Sequence, residues 1–252
     1  MELGVALITG SAQGIGRAIT LRLADDGFNV SLNDLPSAGT ELDILASEIA
    51  SKGRKSHVVI GDISSESDVQ RIIESTVQAL GSLDVVGICI TKSIMSTSTE
   101  EWDRIFAVNG RGTFLCYKYA AKQMIAQGHG GRIIGASSVA GKLGSPNLPV
   151  YGVSKWAIRG LTQSAAHEFG KYGITVNAYA PGPTETDMIN GIASAVNPSN
   201  PEQYFKDMTE KTDVGRNGTP ADIAGLVSYL VSKEASFITG QSVSINGGIF
   251  CD

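Results

Sequence analysis

Cysteine and histidine are scarce in this 252-residue chain, three of each. Cys89, Cys116 and Cys251 are far apart, odd in number and form no Cys-x-x-Cys pair. That spacing argues against a disulfide framework or a zinc site and suits buried or incidental thiols in a reducing compartment. His57, His129 and His167 stand in unrelated segments with no Cys, Asp or Glu at ligand spacing, so no metal is expected. No run rich in lysine or arginine occurs and the formal net charge is −5, which points to no nucleic acid and no anionic membrane as partner. No apolar stretch approaches the roughly 18 residues of a membrane span. The first ten residues have no basic region before their short apolar run, and they read as a strand, not a signal peptide. A cytoplasmic protein is expected. No linker, low-complexity stretch or repeat divides residues 1–252, which are read as a single domain.

What is present is alternation. Short apolar runs at 5–9, 30–33, 57–60, 83–90, 132–136, 175–180 and 242–245 lack period-two patterning, as expected of strands covered on both faces. Helical patterns lie between them. Ile15, Ala18, Ile19 and Leu23 share one face, and Asp25-Asp26-Gly27 stops that helix. Ser65 with Asp68 and Ser98 with Glu101 have capping-box spacing, and Thr219-Pro220-Ala221-Asp222 adds a proline at the first helical position. Repeated strand–helix–strand units predict an α/β fold with a doubly wound parallel sheet of about seven strands and helices on both faces. One long irregular stretch, about 186–212, interrupts the alternation and reads as a lid over a site.

The first strand runs into Thr9-Gly10-Ser11-Ala12-Gln13-Gly14-Ile15-Gly16 and then a helix. Glycines let the backbone approach a phosphate closely, and the helix N-terminus offers free N–H groups to the anion. Asp34 ends the second strand, where a carboxylate accepts from both hydroxyls of an adenosine ribose and repels a 2′-phosphate. No cation stands in the turn, so NAD is expected over NADP. Asp62, after the third strand, suits the adenine amino group, or simply a turn before a helix.

Tyr151 and Lys155 begin a helix and are one turn apart on one face. A neighbouring ammonium favours the phenolate and lowers a Tyr pKa from about 10 toward the working range. Such a phenol exchanges a proton with an alcohol or carbonyl oxygen. Ser138, thirteen residues earlier at a strand end, would hold the same oxygen.

With these residues the chain resembles the short-chain dehydrogenase/reductase family, in its single-domain form, from Leu3 to Gly248. The motifs are Thr9-Gly-x-x-x-Gly14-x-Gly16, Asn109, Ser138 with Tyr151-x-x-x-Lys155, Pro181-Gly182 and Ile245-Asn246-Gly247-Gly248. The resemblance implies a Rossmann-like fold and hydride transfer between NAD(H) and a small alcohol or ketone substrate. It implies Tyr151 as general acid/base, Ser138 as orienter and Lys155 as pKa tuner and ribose clamp. Asn109 would hold a relay water through its main-chain carbonyl. Gly10, Gln13, Gly14, Ile15, Gly16, Asp34, Asp62 and Ile63 would line the adenosine and diphosphate half. Pro181, Gly182, Thr184 and Thr186 would seat the nicotinamide. A homotetramer or dimer is implied, built through the helices around 102–124 and 151–169 and the C-terminal strand.

The chain departs from the family at one place. Asn-Asn-Ala-Gly is usual at the end of the fourth strand, and Ile88-Cys89-Ile90-Thr91 stands here. The departure motivates a second reading, the same fold used without net hydride transfer, as an isomerase, dehydratase, cyclase or ligand-binding protein. Met188, Tyr204, Phe205 and Met208 would line a substrate pocket or simply pack the lid. Trp102 and Trp156 suit packing or subunit contact.

Overall fold

The computed structural model describes residues 3–83, 98–144, 148–186, 189, 191, 193–194, 197 and 199–251. Its strands are β1 (Val5–Thr9), β2 (Asn29–Asp34), β3 (Ser56–Ile60), β4 (Gly131–Ala136), β5 (Ile174–Pro181) and β6 (Ser242–Ile245). All pairings are parallel: β1–β2–β3 form one ladder and β4–β5–β6 another. The strand expected at 83–90 lies, apart from Leu83, outside the described residues. Leu83 itself is buried, and its N–H donates to Gln127 Oε1 at 3.1 Å.

Helices α1 (Gly14–Asp26), α2 (Gly39–Ser51), α3 (Glu66–Leu80), α4 (Thr99–Phe106), α5 (Thr113–Gln127), α6 (Pro149–Phe169), α7 (Pro201–Glu210) and α8 (Pro220–Val231) surround the strands. Neighbouring strand residues point to opposite faces, and each face has its own apolar layer. Ala6, Ile8, Val30, Leu32, Ile134 and Ala136 pack with α1, α2 and α8. Leu7, Val59, Ile133, Ile174 and Val176 pack with α3, α5 and the end of α6. Both layers draw on strands of both ladders, so the unbroken apolar runs are explained by burial on two sides. This is a Rossmann-like α/β fold.

The caps follow the sequence with one exception. Ser98 with Glu101 and Thr219 with Asp222 form complete capping boxes. Ser65 accepts from the Asp68 N–H, but the Asp68 carboxylate turns away to the Asp62 N–H at 2.9 Å and to Arg71. Gly27 closes α1 at φ 115°, the left-handed stop expected of it. No helix among the described residues is long and apolar enough to cross a membrane.

Between α4 and α5 the chain does not stay α-helical. Residues Ala107–Gly112 form one π turn, so Asn109 lies in a widened turn between two helices. The π turn and α5 then meet α6 through two buried polar contacts with the same sequence offset of 45. Asn109 Nδ2 donates to Ser154 Oγ at 2.9 Å, and the Tyr117 and Thr162 hydroxyls share a hydrogen bond of 3.0 Å.

Cys116 is buried within α5, and burial pushes its thiol up to about 12, whereas Cys251 is exposed. A thiol reagent applied to the native protein near about pH 8 is therefore expected to label Cys251 and spare Cys116. Peptide mass mapping before and after unfolding checks this. Labelling of Cys116 in the native state would contradict the packing of α5.

Candidate active site

The glycine turn between β1 and α1 is built as a cradle. Gly10 and Gly14 have φ of 64° and 54°, the left-handed region that glycine tolerates. A Cβ on Gly16 would stand 2.0 Å from the Gly10 carbonyl oxygen, so the turn closes on itself only because that position has no side chain. Gln13 is the N-cap of α1 and makes no side-chain capping bond. The first turn of α1, with Ile15 half-buried, contains no acidic residue, leaving a positive helix end at the mouth of the turn.

Asp34 is tied to that turn. Its Oδ2 accepts from the Ala12 N–H at 3.1 Å and its Oδ1 from the Leu35 N–H at 2.9 Å. The turn is further anchored by the Ser11 N–H and hydroxyl, both donating to the Asn33 carbonyl at 3.1 and 3.2 Å. Asp62 uses Oδ1 to accept from the Ser64 N–H at 2.8 Å, an Asx turn leading toward α3. Ile63 sends its side chain into the α3/α5 core, against Gly112, so its side chain serves packing.

The segment after β5 closes over the same turn. The Gly182 N–H donates to the Ile245 carbonyl at 3.1 Å, which ties Pro181–Gly182 to the end of β6. Thr184 is buried, donates its hydroxyl to the Gly182 carbonyl at 3.1 Å and bridges to Gly218. Thr186 donates to the Thr184 carbonyl at 3.3 Å, and its methyl lies 3.6 Å from where a Gly14 Cβ would stand. Sequence-distant residues 14 and 186 are thus brought together at the carboxyl ends of the strands, where doubly wound folds place ligands.

The end of β4 and the turn after it, which carries Ser138, pack against the start of α6, which carries Tyr151 and Lys155. Ser138 follows β4 and caps the 3₁₀ turn Val139–Gly141, its Oγ accepting from the Ala140 N–H at 3.1 Å. That bond uses a lone pair and leaves the hydroxyl hydrogen for a second acceptor. Lys155 is 0% exposed, and its ammonium donates to the Ala136 carbonyl at 2.7 Å, the last residue of β4. The same nitrogen lies 5.4 Å from the centroid of the buried Tyr151 ring. A fully buried ammonium is costly unless held by hydrogen bonds, so its place next to a phenol is a specific arrangement. Asn109 is buried, and its main-chain carbonyl accepts from the Thr113 hydroxyl at 2.6 Å.

Three supporting groups went unnoticed in the sequence. Ser137 donates to the Lys155 carbonyl at 3.1 Å, pinning α6 against the end of β4. Ser154 donates to the Tyr151 carbonyl at 2.7 Å. Lys142 is buried just beyond Ser138 and donates to Ser244 Oγ at 2.8 Å. The only signal available was position, since each hydroxyl is adjacent to a residue already singled out. α7 has Tyr204 and Phe205 edge-on at 6.1 Å, with no residue of the helix buried. Met188 and the Ile88–Thr91 departure lie outside the described residues.

Comparison with known proteins shows the family. Residues 10–249 match the family model described as enoyl-(acyl carrier protein) reductase. A short-chain dehydrogenase/reductase of Armillaria gallica is 50% identical over 98% of this chain and 96% of its own length. One of Hericium erinaceus is 52% identical over 97% of each. The crystal structure of levodione reductase superposes with a TM-score of 0.93 at 30% identity, over 98% of both chains. Since these likenesses span nearly the whole sequence, glycine turn and Tyr-x-x-x-Lys helix included, the chain belongs to the short-chain dehydrogenase/reductase family, a family of oxidoreductases.

Proposed function

We propose that the protein interconverts a secondary alcohol and its ketone with NAD(H), Tyr151 acting as general acid/base. The observation that carries this is the fully buried Lys155 ammonium, held next to the Tyr151 ring by the Ala136 carbonyl at the end of β4, two residues before Ser138. The residues present fit a dinucleotide. The Gly16 position has no room for a Cβ, the α1 N-terminus has no side-chain cap, and Asp34 stands beside the turn. Gly10, Gln13, Gly14, Ile15 and Gly16 would hold the diphosphate. Asp34 would take the adenosine ribose, and Asp62 and the Ile63 backbone would flank the adenine. Pro181, Gly182, Thr184 and Thr186 would hold the nicotinamide end, with Lys155 at its ribose.

A bound nicotinamide cofactor supplies or takes up the hydride. The rest falls to the chain. In reduction, the Ser138 and Tyr151 hydroxyls both donate to the carbonyl oxygen, fixing it between them. Tyr151 gives up its proton as negative charge develops on that oxygen, and the Lys155 ammonium stabilises the phenolate left behind. The buried Asn109, whose main-chain carbonyl accepts from the Thr113 hydroxyl, would hold a water through that carbonyl and so return a proton from solvent. Residues 186–212 would cover the substrate as a lid, consistent with the shallow packing of α7. Residues 1–252 would form one domain. Exposed Trp102, Phe114, Val153 and Trp156 on α4–α6 favour the expected assembly of copies through these helices.

Assay of a panel of small ketones, diketones and secondary alcohols with NADH and NADPH separately tests the reading. Turnover is expected with NADH, and a wild-type preference for NADPH would overturn the role given to Asp34. Asp34→Ala should raise the KM for NADH about tenfold or more while leaving kcat near the parent value. If calorimetry finds no binding of either cofactor, the non-redox reading motivated by Ile88–Thr91 takes its place.

A further inference from the structure

We propose that Ser154 is a positioning residue for this reaction, its hydroxyl tying Asn109 to the backbone of Tyr151 and so setting where the phenol stands. The inference rests on the reading of Tyr151 as the acid/base group. Ser154 and Asn109 are both 0% exposed. Ser154 Oγ donates to the Tyr151 carbonyl at 2.7 Å and receives Asn109 Nδ2 at 2.9 Å.

Hydrogen-bond logic gives this chain one direction. A carbonyl oxygen can only accept, so the single Ser154 hydrogen goes to Tyr151. The Ser154 oxygen is then an acceptor toward Asn109, and the Asn109 amide must present its nitrogen there. On its other side the Asn109 carbonyl is gripped by the Thr113 hydroxyl at 2.6 Å. A serine hydroxyl returning to the carbonyl three residues back is ordinary in helices. The distinctive element is the third group, a side chain from the π turn of a neighbouring helix.

The location explains why such a tie would matter. Tyr151 lies in the first turn of α6, and Leu148, the N-cap of that helix, makes no side-chain capping bond. First turns without caps fray, and a phenol carried on one would drift relative to Lys155 in the next turn. Ser137 pins the Lys155 carbonyl to the end of β4, and Ser154 pins the Tyr151 carbonyl to the α4–α5 junction. The two reacting side chains are thereby referenced to separate parts of the framework.

The test compares Ser154→Thr with Ser154→Val, which have the same shape but differ in the hydroxyl. Each full-length variant is measured for NADH Kd, thermal midpoint, and kcat and KM across pH. Tyrosinate absorbance of the cofactor-free protein is also titrated, with Tyr151→Phe as the blank. Ser154→Thr should stay within about threefold of the parent in kcat. Ser154→Val should lose about tenfold or more in kcat with KM and NADH Kd within about threefold, and its Tyr151 titration should move to higher pH by about one unit. Parent kcat and an unmoved titration in Ser154→Val would overturn the proposal. So would a loss of kcat with the titration unmoved, since that marks a merely structural bond. If Ser154→Val does not fold, Ser154→Ala is read in the same way, and failure of both to fold also overturns the positioning role. The titration needs no cofactor, so a protein that binds no nicotinamide would refute the oxidoreductase reading while the tie is still decided.

Discussion

Tyr151→Phe should lower kcat by about a thousandfold while NADH Kd stays within about threefold of the parent. The substitution removes one oxygen and keeps the ring. That ring is buried and faces the Lys155 ammonium at 5.4 Å, an attraction that phenylalanine retains, so the local packing should survive. What is lost is the proton that must reach or leave the substrate oxygen in the transition state. Ser138 can still polarise that oxygen, which is why residual turnover is expected and not zero. Steady-state kinetics together with calorimetry separate the two effects. Near-parent kcat in this variant would remove Tyr151 from the chemistry and leave the buried ammonium beside it without a function.

Gly16→Ala should act in the opposite place and more broadly. The new methyl carbon would lie 2.0 Å from the Gly10 carbonyl oxygen and 2.8 Å from its carbon, both backbone atoms that no rotamer change can move aside. The turn must open, displacing the N–H groups of α1 from any diphosphate. NADH binding is expected to weaken by about a hundredfold or more, roughly 3 kcal/mol, with a loss of about 1–3 kcal/mol in stability from overpacking. Calorimetry and denaturant melts read the two separately. Unchanged NADH affinity would mean that the glycine turn is not the phosphate cradle.

The alternation of strands and helices was legible because each strand is covered on both faces and therefore reads as an unbroken apolar run. β2 and β5 extend a residue past each expected end, as hydrogen bonding outlasts hydrophobicity at strand termini. The candidate positions were picked out from residue type and spacing, and the fold places Thr186 against Gly14 and the Lys155 ammonium on the Ala136 carbonyl, two residues before Ser138. The π turn at Ala107–Gly112 was not legible. One extra residue in a helical turn leaves no periodic trace, and Asn109 read as an ordinary helical residue. Ser137 and Ser154 were also silent, since a serine beside a motif looks the same whether it faces solvent or a buried carbonyl. Ser65 shows the converse: its spacing to Asp68 was right, yet the carboxylate found a better partner in Asp62.

The matched offset of the π turn and α5 against α6 has a consequence for how α6 finds its seat. The Asn109–Ser154 and Tyr117–Thr162 contacts are eight residues apart in each segment, from the π turn into α5 on one side and along α6 on the other, about 12 Å along the α6 axis. Apolar surfaces tolerate sliding, but a one-turn slip of α6 would strand four buried polar groups together, each an expensive loss. The pair behaves as a two-toothed key. A chain that docks α6 out of step is penalised at both ends and released, so Tyr151 arrives opposite its neighbours by elimination of every other alignment.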